Sequence, residues 1–401
     1  MLYLFYAQKN YQGSIGGFKM NLIKDLPSIF EEFEENRKNG FLEAKKIKDA
    51  GHPLIGIYCT FFPTEIASAL GIHTVSLCAF SNETIPDAEI ELPNNLCPLI
   101  KSSYGFAKTQ KCPYFYFSDL VIGESTCDGK KKMYELLKKY KDVYVMELPN
   151  CLSENGRELW IKEIKKLKNY LENRFEHALS EETLWKCIKE KNEERVAMNR
   201  FSHLMALDPP PMRSSELYSV LYGSSYEFDK MNFPQKIDAT IQKIMQEYDP
   251  TKLTHKPRIL VTGCPIGGDT EKIIQAIENN GGIVVAFENC GGSKPLATLT
   301  DTTNSDPYEA LADKYLSIGC SCLSPNPNRF ELLNSMINEY KVDGVVEMVL
   351  HACHTYSIES KTVQNFCIEE KGIPYLSVET DYSKSDIGQL DTRIGAFIEM
   401  L

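Results

Sequence analysis

The side chains in this sequence with the most chemistry to offer are its thiols, thirteen cysteines in 401 residues. The opening Met1 to Tyr6 is too short for a secretory signal and lacks its basic start, so a cytoplasmic setting is expected. In a reducing cytosol so many cysteines point to metal rather than to disulfides. Cysteine also serves as a small core hydrophobe, and that plainer role is expected for Cys151 and Cys187.

The intervals repeat. Cys97 to Cys127 and Cys290 to Cys320 each span 30 positions, and Cys320 to Cys353 spans 33. Three thiolates in each of two halves is the economical reading. The ferredoxin run C-x2-C-x2-C does not occur, so spacing alone leaves iron and zinc level. Soft sulfur suits iron–sulfur clusters, and helix starts and backbone N–H groups can tune such ligands.

The elements that must hold these thiols are legible as short apolar runs. Strands are expected at 54–58, 74–77, 120–122 and 143–148, with helices at 63–70 and 130–139 between them. After Pro257 the rhythm returns, with strands at 258–261, 283–287, 345–349 and 375–378 and helices at 272–280 and 330–340. Strands alternating with helices imply parallel sheets covered on both faces. The expected fold is therefore α/β, with two Rossmann-like doubly wound parallel-sheet halves, 51–153 and 257–401. A helical connector, 154–256, joins them, and an N-terminal extension and helix, 1–50, precede them. In the connector, 154–207 has helical periodicity with almost no Gly or Pro, followed by the loop Pro209-Pro210-Pro211 and a helix near 237–248. Gly16-Gly17-Phe18-Lys19 ahead of Met20 reads as a translated ribosome-binding site, making Met20 the expected start.

Ligands in open α/β sheets bind beyond the carboxyl ends of strands. Cys59 and Cys127 follow strands of the first half, and Cys97 precedes Pro98 at a helix start. Cys264, Cys290 and Cys353 follow strands of the second half, while Cys320 and Cys322 lie in the loop after Leu316. The cluster is thus expected where the halves meet.

Composition narrows the partners. A net charge of −11 argues against a phosphate-backbone partner, so no nucleic acid is expected. The basic stretch 162–168 reads as the solvated face of a helix. Apolar runs are too short to span a bilayer, so no membrane is expected either. The sequence lacks Gly-x-x-x-x-Gly-Lys-Ser/Thr, and Gly267-Gly268-Asp269-Thr270 reads as a turn and helix cap. Lys130, Lys131 and Lys132 either steer an acidic partner or are solvated. Glu65 is a candidate proton donor or a charge complementing a helix start. His351 and His354 flank Cys353 and either deliver protons or hydrogen-bond within the loop.

Several longer motifs carry a resemblance. They are Tyr58-Cys59-Thr60-Phe61-Phe62-Pro63-Thr64-Glu65, Leu96-Cys97-Pro98-Leu99-Ile100-Lys101-Ser102-Ser103-Tyr104-Gly105 and Thr126-Cys127-Asp128-Gly129-Lys130-Lys131-Lys132. The second half adds Glu288-Asn289-Cys290-Gly291-Gly292, Gly319-Cys320-Ser321-Cys322, His351-Ala352-Cys353 and Glu379-Thr380-Asp381-Tyr382-Ser383. Together they resemble the 2-hydroxyacyl-CoA dehydratase family, D-component or beta-subunit type, over nearly everything after Met20. Six cysteines in two halves are most similar to its double-cubane cluster branch.

That resemblance implies an oxygen-sensitive [8Fe-9S] double cubane, with Cys59, Cys97 and Cys127 on one cubane and Cys290, Cys320 and Cys353 on the other. Cys290 is kept over Cys264 because its Glu-Asn-Cys-Gly setting fits the family pattern; Cys322 remains the rival of Cys320. It further implies an oxidoreductase, expected as a homodimer, acting on a small molecule. A transient ATP-hydrolysing [4Fe-4S] activator would deliver its electrons, since iron–sulfur potentials reach down to about −700 mV and need an energised donor. The alternative is a lyase, a 2-hydroxyacyl-CoA dehydratase subunit with one [4Fe-4S] cluster performing radical dehydration of a CoA thioester. A cluster-storage or electron-carrier protein is a third reading.

Overall fold

Eight short strands rich in aliphatic and β-branched residues organise the chain, whose computed structural model describes residues 39–401. The expected start at Met20 and the extension before residue 39 lie outside the described residues. In the first half the strands are β1 (Leu54–Ile57), β2 (His73–Ser76), β3 (Leu120–Glu124) and β4 (Val143–Met146). In the second they are β5 (Arg258–Gly263), β6 (Ile283–Glu288), β7 (Gly344–Leu350) and β8 (Tyr375–Thr380). All pairings among the described residues are parallel, in the orders β2-β1-β3-β4 and β6-β5-β7-β8.

The two orders are one topology repeated, as the sequence rhythm predicts. Each reverses direction about its first strand, which places a crevice between β1 and β3 and another between β5 and β7. Every residue of β5, β6 and β7 is buried. This explains their largely apolar character, because helices cover both faces of a parallel sheet.

The connector differs from a single helical stretch. Two helices, Glu154–Phe175 and Glu181–His203, are separated by Glu176, whose φ of 54° ends the first in a left-handed cap. Ser180 then caps the second by accepting from Thr183 N–H, the usual work of a serine at that position. A further helix, Ser214–Gly223, precedes Phe233–Glu247; its mix of Ser, Tyr and Gly carries no clear period to read. Gly267 and Gly268 form the expected turn, a 3-10 segment (Gly268–Glu271) whose Thr270 hydroxyl accepts from Gly267 N–H. Asp269 crosses to the first half, donating its N–H to Phe80 O and accepting Asn82 N–H on its carboxylate. No helix among the described residues is long and apolar enough to cross a membrane.

Candidate metal centre

The strand ends deliver thiols in register. Cys59, Cys78 and Cys127 follow β1, β2 and β3, and Cys264, Cys290 and Cys353 follow β5, β6 and β7. Cys97 lies between β2 and β3, directly before the helix Pro98–Lys108, and Cys320 lies between β6 and β7. Topology therefore pairs Cys59 with Cys264, Cys78 with Cys290, Cys97 with Cys320 and Cys127 with Cys353. Counting residues matches Cys97–Cys127 to Cys290–Cys320; the strand order instead matches it to Cys320–Cys353. Sequence reasoning missed Cys78, although its position just past a strand is the signal that found the others.

Local backbone geometry aims these groups. Cys97, Cys127 and Cys353 each occupy the position before a helix, ahead of Pro98–Lys108, Asp128–Leu137 and His354–Asn365. The positive end of a helix dipole favours thiolate there. Gly263 ends β5 with φ of 102°, and a Cβ on it would stand 2.2 Å from Met348 O. Only glycine lets the chain turn there and set Cys264 N–H on Met348 O at 2.8 Å.

The thiols meet across the halves. Cys353 lies beside both Cys264 and Cys97, whose thiols hold its own down to about 3. Cys353, and then burial, push Cys97 up in return. Around the second group, Cys59 feels Cys290 and Cys320, while Cys322 feels Cys127 and Cys59. The neighbouring Cys322 thiol holds Cys320 down to about 6, and burial pushes Cys290 up to about 11. The six sequence-selected cysteines thus fall in two groups, Cys97 and Cys353 with Cys264 in one, and Cys59, Cys127, Cys290 and Cys320 with Cys322 and Cys78 in the other. Each group draws from both halves. Cys151 is exposed rather than a core residue, and Cys187 is half-buried on a connector helix.

Polar groups around the thiols are incomplete without a guest. Thr126 Oγ1, Asn289 Nδ2, Ser321 Oγ, Tyr134 OH and Tyr382 OH are buried with no hydrogen-bond partner. Three of these residues adjoin Cys127, Cys290 and Cys320 in sequence; Tyr134 faces Cys59 and Cys78, and Tyr382 faces Cys97, Cys78 and Cys264. Buried donors are ordinarily satisfied. A set of unused donors facing thiolates fits a sulfide-rich anionic cluster, whose sulfurs accept such bonds. Among the described residues no three His, Cys, Asp or Glu side chains converge on a single metal ion. A point ion needs each thiolate within about 2.3 Å, whereas a multi-iron group needs its ligands spread around it.

Charged groups flank the assembly. Lys130 donates to Tyr58 O at 2.9 Å, and its charge acts on Cys59, Cys78 and Cys127. Lys131 and Lys132 instead pair at the surface with Asp128 and Glu135. Glu124, at the end of β3, is wholly buried with neither carboxylate oxygen partnered, and burial pushes it up to about 8. On the other side Lys294 lies 3.0 Å from Glu288 and donates to Tyr356 OH at 3.0 Å, beside Cys290 and Cys320. Beneath it, Arg329 reaches Glu347 at 2.8 Å, Glu359 at 2.5 Å and Glu288 at 3.5 Å, with its own side chain fully enclosed.

Of the three candidate proton carriers, Glu65 sits in an ion-pair network and the two histidines flank Cys353 at the surface. Glu65 is enclosed with Arg195 at 2.7 Å and accepts from Tyr315 OH at 2.6 Å. Burial opposes its ionisation, but Arg195 and the phenol outweigh burial and hold the carboxyl below its ordinary range. It is thus a fixed anion tying the first half, a connector helix and the helix Pro307–Leu316 together. His351 is exposed and bonds Glu379 at 2.6 Å; His354 is exposed at the start of its helix.

A stability prediction follows for Glu65. A carboxyl lowered by folding stabilises the protein above its unfolded pKa, about 4.3, and that contribution is lost as pH falls through the folded value. Glu65→Gln is expected to flatten the acid limb of the stability profile. Urea unfolding between about pH 3 and 6 reads this; an unchanged slope would contradict it.

The family described as "2-hydroxyglutaryl-CoA dehydratase, D-component" matches residues 59–401, beginning at the first thiol of the assembly. The chain belongs to this family. It is 52% identical over 384 residues to the protein named "Putative dehydratase subunit YjiM" of Escherichia coli K12, covering 95% of this chain and 100% of that one. It is 26% identical over 377 residues to the (R)-phenyllactyl-CoA dehydratase beta subunit of Clostridium sporogenes, covering 93% and 97%. It is 21% identical over 389 residues to the lactoyl-CoA dehydratase beta subunit of Anaerotignum propionicum, covering 95% and 100%. This is a family of 2-hydroxyacyl-CoA dehydratase-type enzyme subunits, iron–sulfur dependent and working with partner subunits.

Proposed function

We propose that this chain is a double-cubane [8Fe-9S] reductase of small molecules. Cys59, Cys97, Cys127, Cys290, Cys320 and Cys353 would hold the cluster between units 51–153 and 257–401, joined by 154–256. The observation that carries this reading is the thiol assembly drawn from both halves and ringed by unused donors, a larger ligand set than one cubane employs. When bound, the cluster supplies electrons at low potential. Thr126, Asn289, Ser321, Tyr134 and Tyr382 would bond its sulfurs, and the buried positions of Cys97, Cys264 and Cys320 keep water away. Glu65 receives no proton-transfer role here because its carboxylate is already bound by Arg195 and Tyr315.

The remaining parts of the proposal are a cytoplasmic homodimer and a transient ATP-hydrolysing [4Fe-4S] activator as electron donor. A second reading is favoured by the name of the Clostridium relative: a dehydratase subunit with one [4Fe-4S] cluster, acting as a lyase on a CoA thioester. Iron and sulfide analysis of anaerobically purified protein separates them. About eight irons per chain are expected for the first and about four for the second; colourless, iron-free protein would overturn both.

A further inference from the structure

Two ammonium groups approach the thiol assembly from opposite halves. Lys130 comes from the helix Asp128–Leu137 and donates to a backbone carbonyl, Tyr58 O. Its charge acts on Cys59, Cys78 and Cys127, extends to Cys290 and Cys320, and also reaches the buried carboxyl of Glu124. Lys294 comes from the loop after β6 and acts on Cys290 and Cys320, but Glu288 lies 3.0 Å from it and offsets part of its field. Glu124 shares this enclosure, but burial pushes its carboxyl up to about 8, so near pH 7 it is mostly protonated and leaves the ammonium charges largely unopposed. Fixed charges this close to a buried redox group act through a low dielectric and are felt strongly.

Resting on the double-cubane reading, we propose that the buried ammonium groups of Lys130 and Lys294 set the reduction potential of the cluster. Reduction adds one electron and one negative charge, with no bond made or broken. A neighbouring ammonium stabilises the added charge and raises the potential; a neighbouring carboxylate lowers it. Because Glu288 offsets part of the Lys294 charge at 3.0 Å, the contribution of Lys130 exceeds that of Lys294.

The test is an anaerobic redox titration of the full-length holoprotein with titanium(III) citrate as the one-electron reductant. It is followed by visible absorption and electron paramagnetic resonance, with iron measured on each sample. Lys130→Met is expected to lower the reduced-to-oxidised ratio at least tenfold at a fixed potential, a shift of about 59 mV. Lys130→Arg should hold the wild-type value. Lys294→Met should shift in the same direction by less, and Glu124→Gln should keep the wild-type value at pH 7. If Lys130→Met loses iron, the shift of Lys294→Met against an unmoved Glu124→Gln decides the matter. Full iron content with unmoved potentials in the lysine variants would overturn the charge-setting role and leave the cluster reading intact. Wild-type protein without iron would overturn the cluster reading itself.

Discussion

Arg329→Met is expected to be the most damaging single change to stability, costing about 3–5 kcal/mol, because it strands buried carboxylates without their cation. Glu288 and Glu347 are fully enclosed and both rely on this guanidinium, as does Glu359 at the edge. Lys294 still reaches Glu288, and Tyr375 donates to Glu347, but neither replaces the guanidinium fork that also donates to Thr262 Oγ1 at 2.9 Å. Against a typical total stability of about 5–15 kcal/mol, most of the protein should fail to accumulate in soluble form. Soluble yield and the urea midpoint read the effect. Arg329→Met with Glu347→Gln should recover part of the loss, since a neutral amide is cheaper to bury than an unpaired carboxylate. A wild-type midpoint for the single variant would refute the account.

Cys353→Ser is expected to have the largest effect on function. This thiol lies beside both Cys97 of the first half and Cys264 of the second, at a helix start. A serine oxygen is a harder and far less acidic ligand than thiolate. Iron per chain should fall sharply, the visible absorption should bleach, and activator-dependent reduction should drop by at least about a hundredfold, roughly 2.7 kcal/mol of transition-state stabilisation. Cys151→Ser, at an exposed position, serves as the control and should retain iron and colour. Equal iron in both variants would remove Cys353 from the proposed ligand set.

Each of the eight expected strands forms, because a short apolar run bounded by turn residues has few other ways to bury itself in a chain of alternating helices. The thiols are legible for the same reason, since strand ends announce themselves. Their pairing is not, because loop lengths differ between the halves and residue counting is blind to strand order. Lys130, Lys131 and Lys132 cannot be told apart in the sequence either. Successive helical residues rotate by about 100°, and which one faces inward depends on how the helix lies on its sheet. Glu124 and Glu288 interrupt apolar strands without a visible motive, because their surroundings come from elements far away in sequence. Arg195 likewise gives no sign that it joins Glu65 to Tyr315 across 130 and 120 positions.

That last contact sets a limit on movement. A hinge parting the two sheets would have to pull the Tyr315 phenol off the enclosed Glu65 carboxylate or carry the Arg195 guanidinium away from it, at a cost of several kcal/mol. An opened form would then be populated at roughly one part in a thousand. Turnover that depended on domain opening would be throttled by that rarity. A donor protein docking on an already shaped surface would meet no such bottleneck, so traffic through this protein should be paced by encounters rather than by breathing.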